Sequence, residues 1–316
     1  MTPLPPRLEA LLALGRRLRR EGYAFVTVSP ATHARVNARE ENALARDLRD
    51  VFGWSRPFAE DLLERSLFSL LAAADLLQWD GRHWHSKVRW SSLEDQLFAH
   101  SAYPTEAAEA VFFGPDTYRF ARAIAQHLRT LDSRDIHRAV DIGCGAGPGA
   151  ILLAGACPQA EVHAVDINPH ALAFTRVNAL LAEAPQLQVR RSDLLEGLAG
   201  DFDLMVANPP YMLDADLRTY RHGGGSQGAE LSLRILESAL GRLAPGGSLL
   251  LYTGAAVIDG EAPLWRQASR LLAARPGWEW RYEELDPDVF GEELEVPAYR
   301  QVERIAAVLL TLRRLA

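Results

Sequence analysis

Three observations predict an α/β fold, a doubly wound, mainly parallel Rossmann-like sheet preceded by a smaller, mostly helical domain. From residue 120 onward, short apolar runs alternate with helical stretches of about 10–20 residues, the pattern of right-handed βαβ units. A glycine-rich turn, "VDIGCGAGPGA" (140–150), joins one such run to the next helix. Before residue 110 the alternation is missing, and apolar residues recur at helical spacing instead.

In order along the chain, residues 7–21, 42–52 and 57–77 read as amphipathic helices. "WDGRHWHSKVRW" follows, with a turn at Asp80-Gly81 between aromatic-rich runs, and predicts a β-hairpin. Trp54, Trp79, Trp84 and Trp90 fall in this region and read as its core. "HSAYPTEAAEA" (100–110) is the candidate boundary, giving domains at 1–105 and 106–316. Beyond it, "HRAVDIG", "EVHAVDI", "LQVRRSDL", "DFDLMVANPP" and "SLLLYTG" read as strands. "GAILLAGAC", "PHALAFTRVNALLAEA" and "GAELSLRILESALGRLAPGG" read as the helices between them. The tail from "RYEEL" to "TLRR" reads as closing antiparallel strands around an acidic insertion at 283–295, either a solvated hairpin, the favoured form, or part of a substrate mouth.

Composition bounds the function. The 316 residues are 48% hydrophobic and 24% charged, with mean hydropathy −0.09, as in an ordinary soluble protein. Arg7 and Glu9 interrupt the apolar N-terminus, which reads as neither signal peptide nor membrane span. Two cysteines, Cys144 and Cys157, are too few for a disulfide framework or a zinc site, so the expected compartment is the cytoplasm. The net charge of −7 leaves no strongly basic footprint for non-specific nucleic-acid binding.

The glycine loop points to a ligand at the strand ends. Gly143, Gly145 and Gly147 permit positive φ and a close backbone approach. Gly145, Gly147 and Ala150 also match a permissive dinucleotide fingerprint. Three acids favour S-adenosylmethionine over a dinucleotide. Asp141, just before the loop, suits an ammonium group and would repel a pyrophosphate; Asp166, ending the next strand, can accept from ribose hydroxyls; Asp193, ending the third, can accept from an adenine amino group.

"ANPPY" (207–211) stops a strand with two prolines, which forces the chain out of the sheet at the ligand-binding edge. The Asn208 side-chain oxygen and the Pro209 carbonyl could grip the N–H groups of a planar amine. Pro210 would hold the corner rigid, and Tyr211 would stack on the flat group.

"VDIGCGAGPGA", "VDIN" and "NPPY", in this order and spacing, resemble the class I S-adenosylmethionine methyltransferases that modify nitrogen, over residues 111–255. "HGGGSQGAELSLRILESAL" narrows the resemblance to the release-factor glutamine N5-methyltransferases, and "VFFGPDTYRFA" stands where their Pro-Arg-Pro-Glu-Thr segment stands, keeping Thr117. The resemblance implies a seven-stranded sheet and catalysis by Asn208, Pro209, Pro210 and Tyr211. It implies a cofactor site of Thr117, Asp141, Gly143, Gly145, Gly147, Asp166, Ile167, Asp193, Leu194 and Asn208. A protein glutamine is the favoured acceptor, with nucleobases and small molecules as alternatives. A nicotinamide dehydrogenase would leave Asp141 and "NPPY" unexplained, and a non-catalytic scaffold would not need an intact corner. "HGGGSQG" carries hydrolase-like signatures, but they overlap in one loop and no histidine follows His222.

Overall fold

The computed structural model describes residues 3–213, 221–225, 228–273 and 275–315. The chain opens with α1 (Pro6–Arg20), whose first turn holds a proline where an N–H would go unused, and which buries Leu11, Leu14 and Leu18. α2 (Pro30–Asn37) follows, capped by the Ser29 hydroxyl. The helix expected over 42–52 shrinks to a 3₁₀ turn at Glu40–Asn42 and to α3 (Leu48–Phe52), which starts only where the Asp47 side chain caps the Asp50 amide. The one expected over 57–77 shrinks to α4 (Arg65–Ala73), because Phe58 is extended and pairs with Trp84.

β1 (Leu77–Trp79) and β2 (Trp84–Ser86) form the expected hairpin, its turn closed by the Asp80 carboxylate on the amides of Arg82 and His83. A second hairpin, β3 (Val88–Leu93) and β4 (Gln96–Ser101), follows at once. Of the four tryptophans, Trp90 is fully buried, whereas Trp79 is 51% exposed and so is not core.

α5 (Pro115–Leu128) leads into the alternating region. This comprises β5 (Arg138–Ile142), α6 (Pro148–Ala156), β6 (Glu161–Asp166), α7 (Pro169–Leu181), β7 (Gln188–Arg191) and β8 (Phe202–Ala207). Then come α8 (Glu230–Arg242), β9 (Leu243–Val257), α9 (Pro263–Ala273), β10 (Trp278–Asp286) and β11 (Arg304–Arg314). α8 stops at Arg242, short of the expected Ala-Pro-Gly-Gly end, because Leu243 already pairs with Phe202.

Seven strands form one sheet in the order β10-β11-β9-β8-β5-β6-β7. β5 to β9 run parallel, and β11 is antiparallel to both its neighbours. The chain moves outward from β5 through β6 to β7 on one side and returns to β8 on the other. The ends of β5, β6 and β8 therefore meet where the winding reverses, the edge at which such sheets bind ligands. Among the described residues, no helix is long and apolar enough to cross a membrane.

The N-terminal elements pack on α7. Val177 and Leu181 belong to the same buried cluster as Leu11, Leu14, Phe52 and Trp90. At Gly15 a Cβ would come within 2.5 Å of the Trp90 ring and 3.0 Å of Leu181. Gly15→Ala is thus expected to strain this joint and cost about 1–3 kcal/mol, despite the better helix propensity of alanine. Chemical denaturation checks it, and a stabilised variant would mean that the joint yields freely.

Candidate active site

A cavity of about 210 Å³ opens at the ends of β5, β6 and β8. Thr117, Gly143, Gly145, Asp166, Ile167, Asp193 and Leu194 line it together with Asn208, Pro209, Pro210 and Tyr211. Asp141 and Gly147 do not.

The glycine loop shows why. Gly143, Gly145 and Gly147 have φ of +70°, +55° and +86°, values that side chains adopt only under strain. The amides of Gly143 and Cys144 donate to the Val165 carbonyl at 2.9 and 3.0 Å, and the Gly145 amide donates to Asp166 Oδ2 at 2.9 Å. At Gly143 and Gly145 a side chain would meet only open space, so these two face the cavity. At Gly147 a Cβ would lie 2.8 Å from Thr175, so this glycine serves packing against α7.

Asp141 corrects the expectation of direct contact with an ammonium group. It is 1% exposed, beneath the loop, and its Oδ2 accepts from the Ala150 amide at 2.8 Å. Burial lifts its carboxyl to about 7, against the pull of that one hydrogen bond. Its work is to tether the first turn of α6 to the end of β5.

Asp166 is half-buried at the end of β6, with Oδ1 on the Asn168 amide and Oδ2 on the Gly145 amide, each at 2.9 Å. Two acceptors filled by backbone leave lone pairs on both oxygens. Burial raises its pKa and the backbone hydrogen bonds oppose the rise. Ile167 beside it is 48% exposed and lines the cavity. Asp193 is half-exposed and pairs with Arg234 at 3.1 Å.

The corner after β8 is built by close backbone approach. The Met212 amide donates to the Arg221 carbonyl, and the Gly223 amide to the Met212 carbonyl, both at 2.9 Å. A Cβ on Gly223 or Gly228 would come within 3 Å of the Tyr211 backbone, so the glycine-rich segment after the corner exists to lie against it. Ser226 of the hydrolase-like signature lies outside the described residues.

Tyr211 departs from its expected stacking role. It is 8% exposed, its ring presses on Gly254, where a Cβ would approach to 2.2 Å, and its hydroxyl donates to Asp116 Oδ2. Asp116 Oδ1 accepts from Tyr252 at 2.7 Å and from Arg119 at 3.2 Å. Sequence reasoning missed Asp116, which lines the cavity. Pro115 and Asp116 before Thr117 supply a proline and an acid, and so keep more of the Pro-Arg-Pro-Glu-Thr form than the threonine alone.

The acidic insertion is not a solvated hairpin. Phe290, in the left-handed region at φ +57°, lines the cavity and meets the Tyr211 ring edge-on at 6.1 Å. Glu293 pairs with Arg221, and the Tyr299 hydroxyl accepts from the Leu213 amide at 2.7 Å. The insertion walls the mouth.

Comparison with known proteins agrees with this geometry. Residues 119–257 match the family model "Methyltransferase small domain". The chain is 35% identical over 206 residues to a release factor glutamine methyltransferase of Deinococcus radiodurans, covering 62% of this chain and 69% of that protein. It is 38% identical over 135 residues to a ribosomal protein uL3 glutamine methyltransferase of Bordetella pertussis, covering 39% and 45%. A release factor glutamine methyltransferase of Koribacter versatilis is 31% identical over 46% of this chain and 55% of that protein. The chain thus spans about half the length of the latter two.

The buried acid of β5 has a measurable consequence. A carboxyl raised from 3.8 when unfolded to about 7 when folded stabilises the fold fully at acid pH, and that contribution fades as pH rises towards 7. Asp141→Asn keeps an acceptor for the Ala150 amide but does not ionise. Thermal melts between about pH 4 and 7 are expected to show a flatter pH dependence in this variant. An unchanged slope would mean that Asp141 does not titrate in that range.

Proposed function

The chain belongs to the family of the release factor glutamine methyltransferases, class I S-adenosylmethionine-dependent N-methyltransferases, and from that premise we propose that it methylates the side-chain nitrogen of a protein glutamine. The observation that carries the reading is that Asn208-Pro209-Pro210-Tyr211 and the carboxylates at the ends of β6 and β7 line one cavity. The cofactor's residues fit it chemically. The cavity offers the carboxylates of Asp166 and Asp193, suited to a cationic ligand rich in hydroxyl and amino donors, and exposed Ile167 suits a flat ring. Gly143 and Gly145 leave backbone bare beside them.

S-adenosylmethionine, when bound, supplies an electrophilic methyl group on a sulfonium. The chain's own part is to present the acceptor. A primary amide nitrogen is a poor nucleophile because its lone pair is delocalised into the carbonyl. In this proposal Asn208 Oδ1 and the Pro209 carbonyl accept its two N–H groups and fix the direction of the lone pair, a gain in orientation rather than in reactivity. Pro209 and Pro210 fix φ and donate no amide hydrogen, which stiffens the corner that carries this carbonyl. Tyr211 positions the corner through its bond to Asp116. Asp166 holds the ribose, Asp193 and Leu194 flank the adenine, and Thr117 closes the cavity from α5. Residues 1–105 are assigned to acceptor recognition, since Pro30 and Thr105 also line the cavity.

Incubation of the purified protein with methyl-labelled S-adenosylmethionine and a bacterial release factor, followed by peptide mass spectrometry, tests the acceptor. The expected product is N5-methylglutamine; label found only in nuclease-sensitive lysate fractions would move the acceptor to nucleic acid. Asn208→Ala is expected to lower kcat ~10²-fold while calorimetric affinity for S-adenosylhomocysteine changes far less. A wild-type rate would reduce the corner to a turn. Tyr211→Phe leaves buried Asp116 one donor short and is expected to lower stability by about 1–3 kcal/mol. An unchanged melting temperature would mean that the hydroxyl is dispensable.

A further inference from the structure

The corner after β8 leaves one demand of an amide acceptor unmet. A primary amide is a flat group with a polar rim and two weakly polar faces. Asn208 and the Pro209 carbonyl, in the roles assigned above, deal with the rim. Tyr211, the ring that the sequence offers for a face, is committed elsewhere: it is 8% exposed, pressed on Gly254 and tied by its hydroxyl to Asp116.

Phe290 stands beside it with more to offer. It is half-buried, lines the same cavity, and its ring meets that of Tyr211 at 66° with centres 6.1 Å apart. It therefore keeps surface towards the cavity on the corner's side. Phe112 lines the cavity too, but its ring is set over Gly114 at the entrance to α5, where a Cβ would come within 2.5 Å of it.

Phe290 is held in place against a local preference. Its φ of +57° and ψ of +42° are left-handed values that a bulky side chain rarely adopts. Such a conformation persists only where its surroundings fix it, and here they do. The Val289 amide donates to the Ile305 carbonyl in β11 at 2.8 Å, and the Phe290 carbonyl accepts from the Glu293 amide at 2.9 Å. Glu293 in turn pairs with Arg221, whose carbonyl accepts from the Met212 amide at 2.9 Å. The Tyr299 hydroxyl accepts from the Leu213 amide at 2.7 Å and donates to the Met212 sulfur at 3.4 Å. At the start of the segment, Arg119 joins Asp286 at 2.7 Å to Asp116 at 3.2 Å. The wall that carries Phe290 is thus fastened to the residues that follow Tyr211 and to the acid that holds its hydroxyl. It lies beyond residues 119–257, so the family match does not account for it.

We propose that Phe290 is the residue on whose ring the acceptor's amide lies, a role that rests on the glutamine reading above. Two hydrogen bonds from the amide's N–H groups fix its direction in the plane but leave it free to tilt about the line joining the two acceptors. A flat apolar neighbour removes that tilt, and with it the error in the angle at which the nitrogen lone pair meets the methyl group. Leucine would fill the same space without offering a flat face. The site therefore selects a planar acceptor group through a residue outside the Asn-Pro-Pro-Tyr corner.

The test uses the full chain and a bisubstrate ligand. In it, the adenosyl and amino-acid halves of S-adenosylhomocysteine are joined through nitrogen in place of sulfur, and a short arm links that nitrogen to the side-chain amide of N-acetylglutamine methylamide. By calorimetry the wild type is expected to bind it more tightly than S-adenosylhomocysteine. Phe290→Leu should weaken the bisubstrate about 10-fold and leave S-adenosylhomocysteine within about twofold, while Phe290→Tyr, which keeps the flat face, should hold the wild-type affinity for both. A crystal structure of the wild-type complex should show the ring against the amide plane at about 3.5–4.0 Å, a readout that stands even if a variant fails to fold. Wild-type affinity in Phe290→Leu, an equal loss in Phe290→Tyr, or a complex with ring and amide apart would each overturn the role of Phe290 and leave the glutamine reading standing. A wild type that gains nothing from the glutamine arm would overturn that reading, and this role with it.

Discussion

The Asp116 carboxylate, 5% exposed, takes hydrogen bonds from Tyr211, Tyr252 and Arg119, and through Arg119 it reaches Asp286 at 2.7 Å. Four parts of the chain meet there: the first turn of α5, the corner after β8, the middle of β9 and the end of β10. Burial raises its pKa, while the two tyrosine hydroxyls and the guanidinium pull it back. A carboxylate sealed from water is tolerable only when its lone pairs are filled, so each donor is held by the cost of leaving the others unmatched. Tyr211 is then fixed from two sides, by Asp116 at its hydroxyl and by Gly254 at its ring. Rigidity at Asn208 follows from this clamp as much as from the prolines.

The carboxyl edge of the sheet repeats the same economy of polar groups. Each parallel strand that ends there leaves backbone groups without a sheet partner, and the glycine loop meets that shortage. Val165 O takes the amides of Gly143 and Cys144, Asp166 takes those of Gly145 and Asn168, and Asp141 takes that of Ala150. The two acids differ in what they have left over. Asp141 is sealed and spends its carboxylate on the fold; Asp166 is open on one side and keeps lone pairs towards the cavity. Equal positions at neighbouring strand ends thus have different chemistry because a few ångströms of loop cover one and not the other.

That difference marks the limit of what the residues alone revealed. Alternation of period marks β5 to β9 and the helices between them, and strand-end placement brings Asn208, Asp166, Asp193, Gly143 and Gly145 to one cavity. These are local patterns acting through a fixed topology. What stayed hidden depends on contacts between residues far apart in the chain. Asp141 and Asp166 look alike in sequence and are separated only by burial. Asp116 is polar in an amphipathic helix and reads as its solvated face until Tyr211 and Tyr252, 95 and 136 residues away, are placed on it. The second hairpin escaped because the turn residues Glu94 and Asp95 carry no glycine, although Glu94 sits at φ +52°. The insertion's charge favours a solvated hairpin over a substrate mouth, yet Phe290 and Tyr299 within and beside it dock it at the mouth.

The N-terminal region is tied to the cofactor loop by one residue. Asn178, on α7 and fully buried, exchanges hydrogen bonds with both backbone groups of Ala99 in β4, at 2.8 and 3.0 Å, and donates to the Ala146 carbonyl in the glycine loop at 2.8 Å. Its amide thus does for β4 what a neighbouring strand would do, and it does so from a helix of the methyltransferase sheet. An amide buried with three strong hydrogen bonds resists shear in every direction that would break one of them. Thr175, one turn earlier, holds the Gly145 carbonyl at 2.9 Å from the same helix. α7 is therefore a common splint, with the glycine loop along one side and β4, with its partner β3, along the other. Arg89 and His100 pair across that hairpin, so the hairpin is anchored to the same splint as the cofactor loop. The position of that hairpin relative to the cofactor loop is set by a rigid element and not by a linker. Under the function proposed above, the region assigned to the acceptor and the loop that holds the cofactor share one helix, which favours accurate placement of the acceptor's side chain.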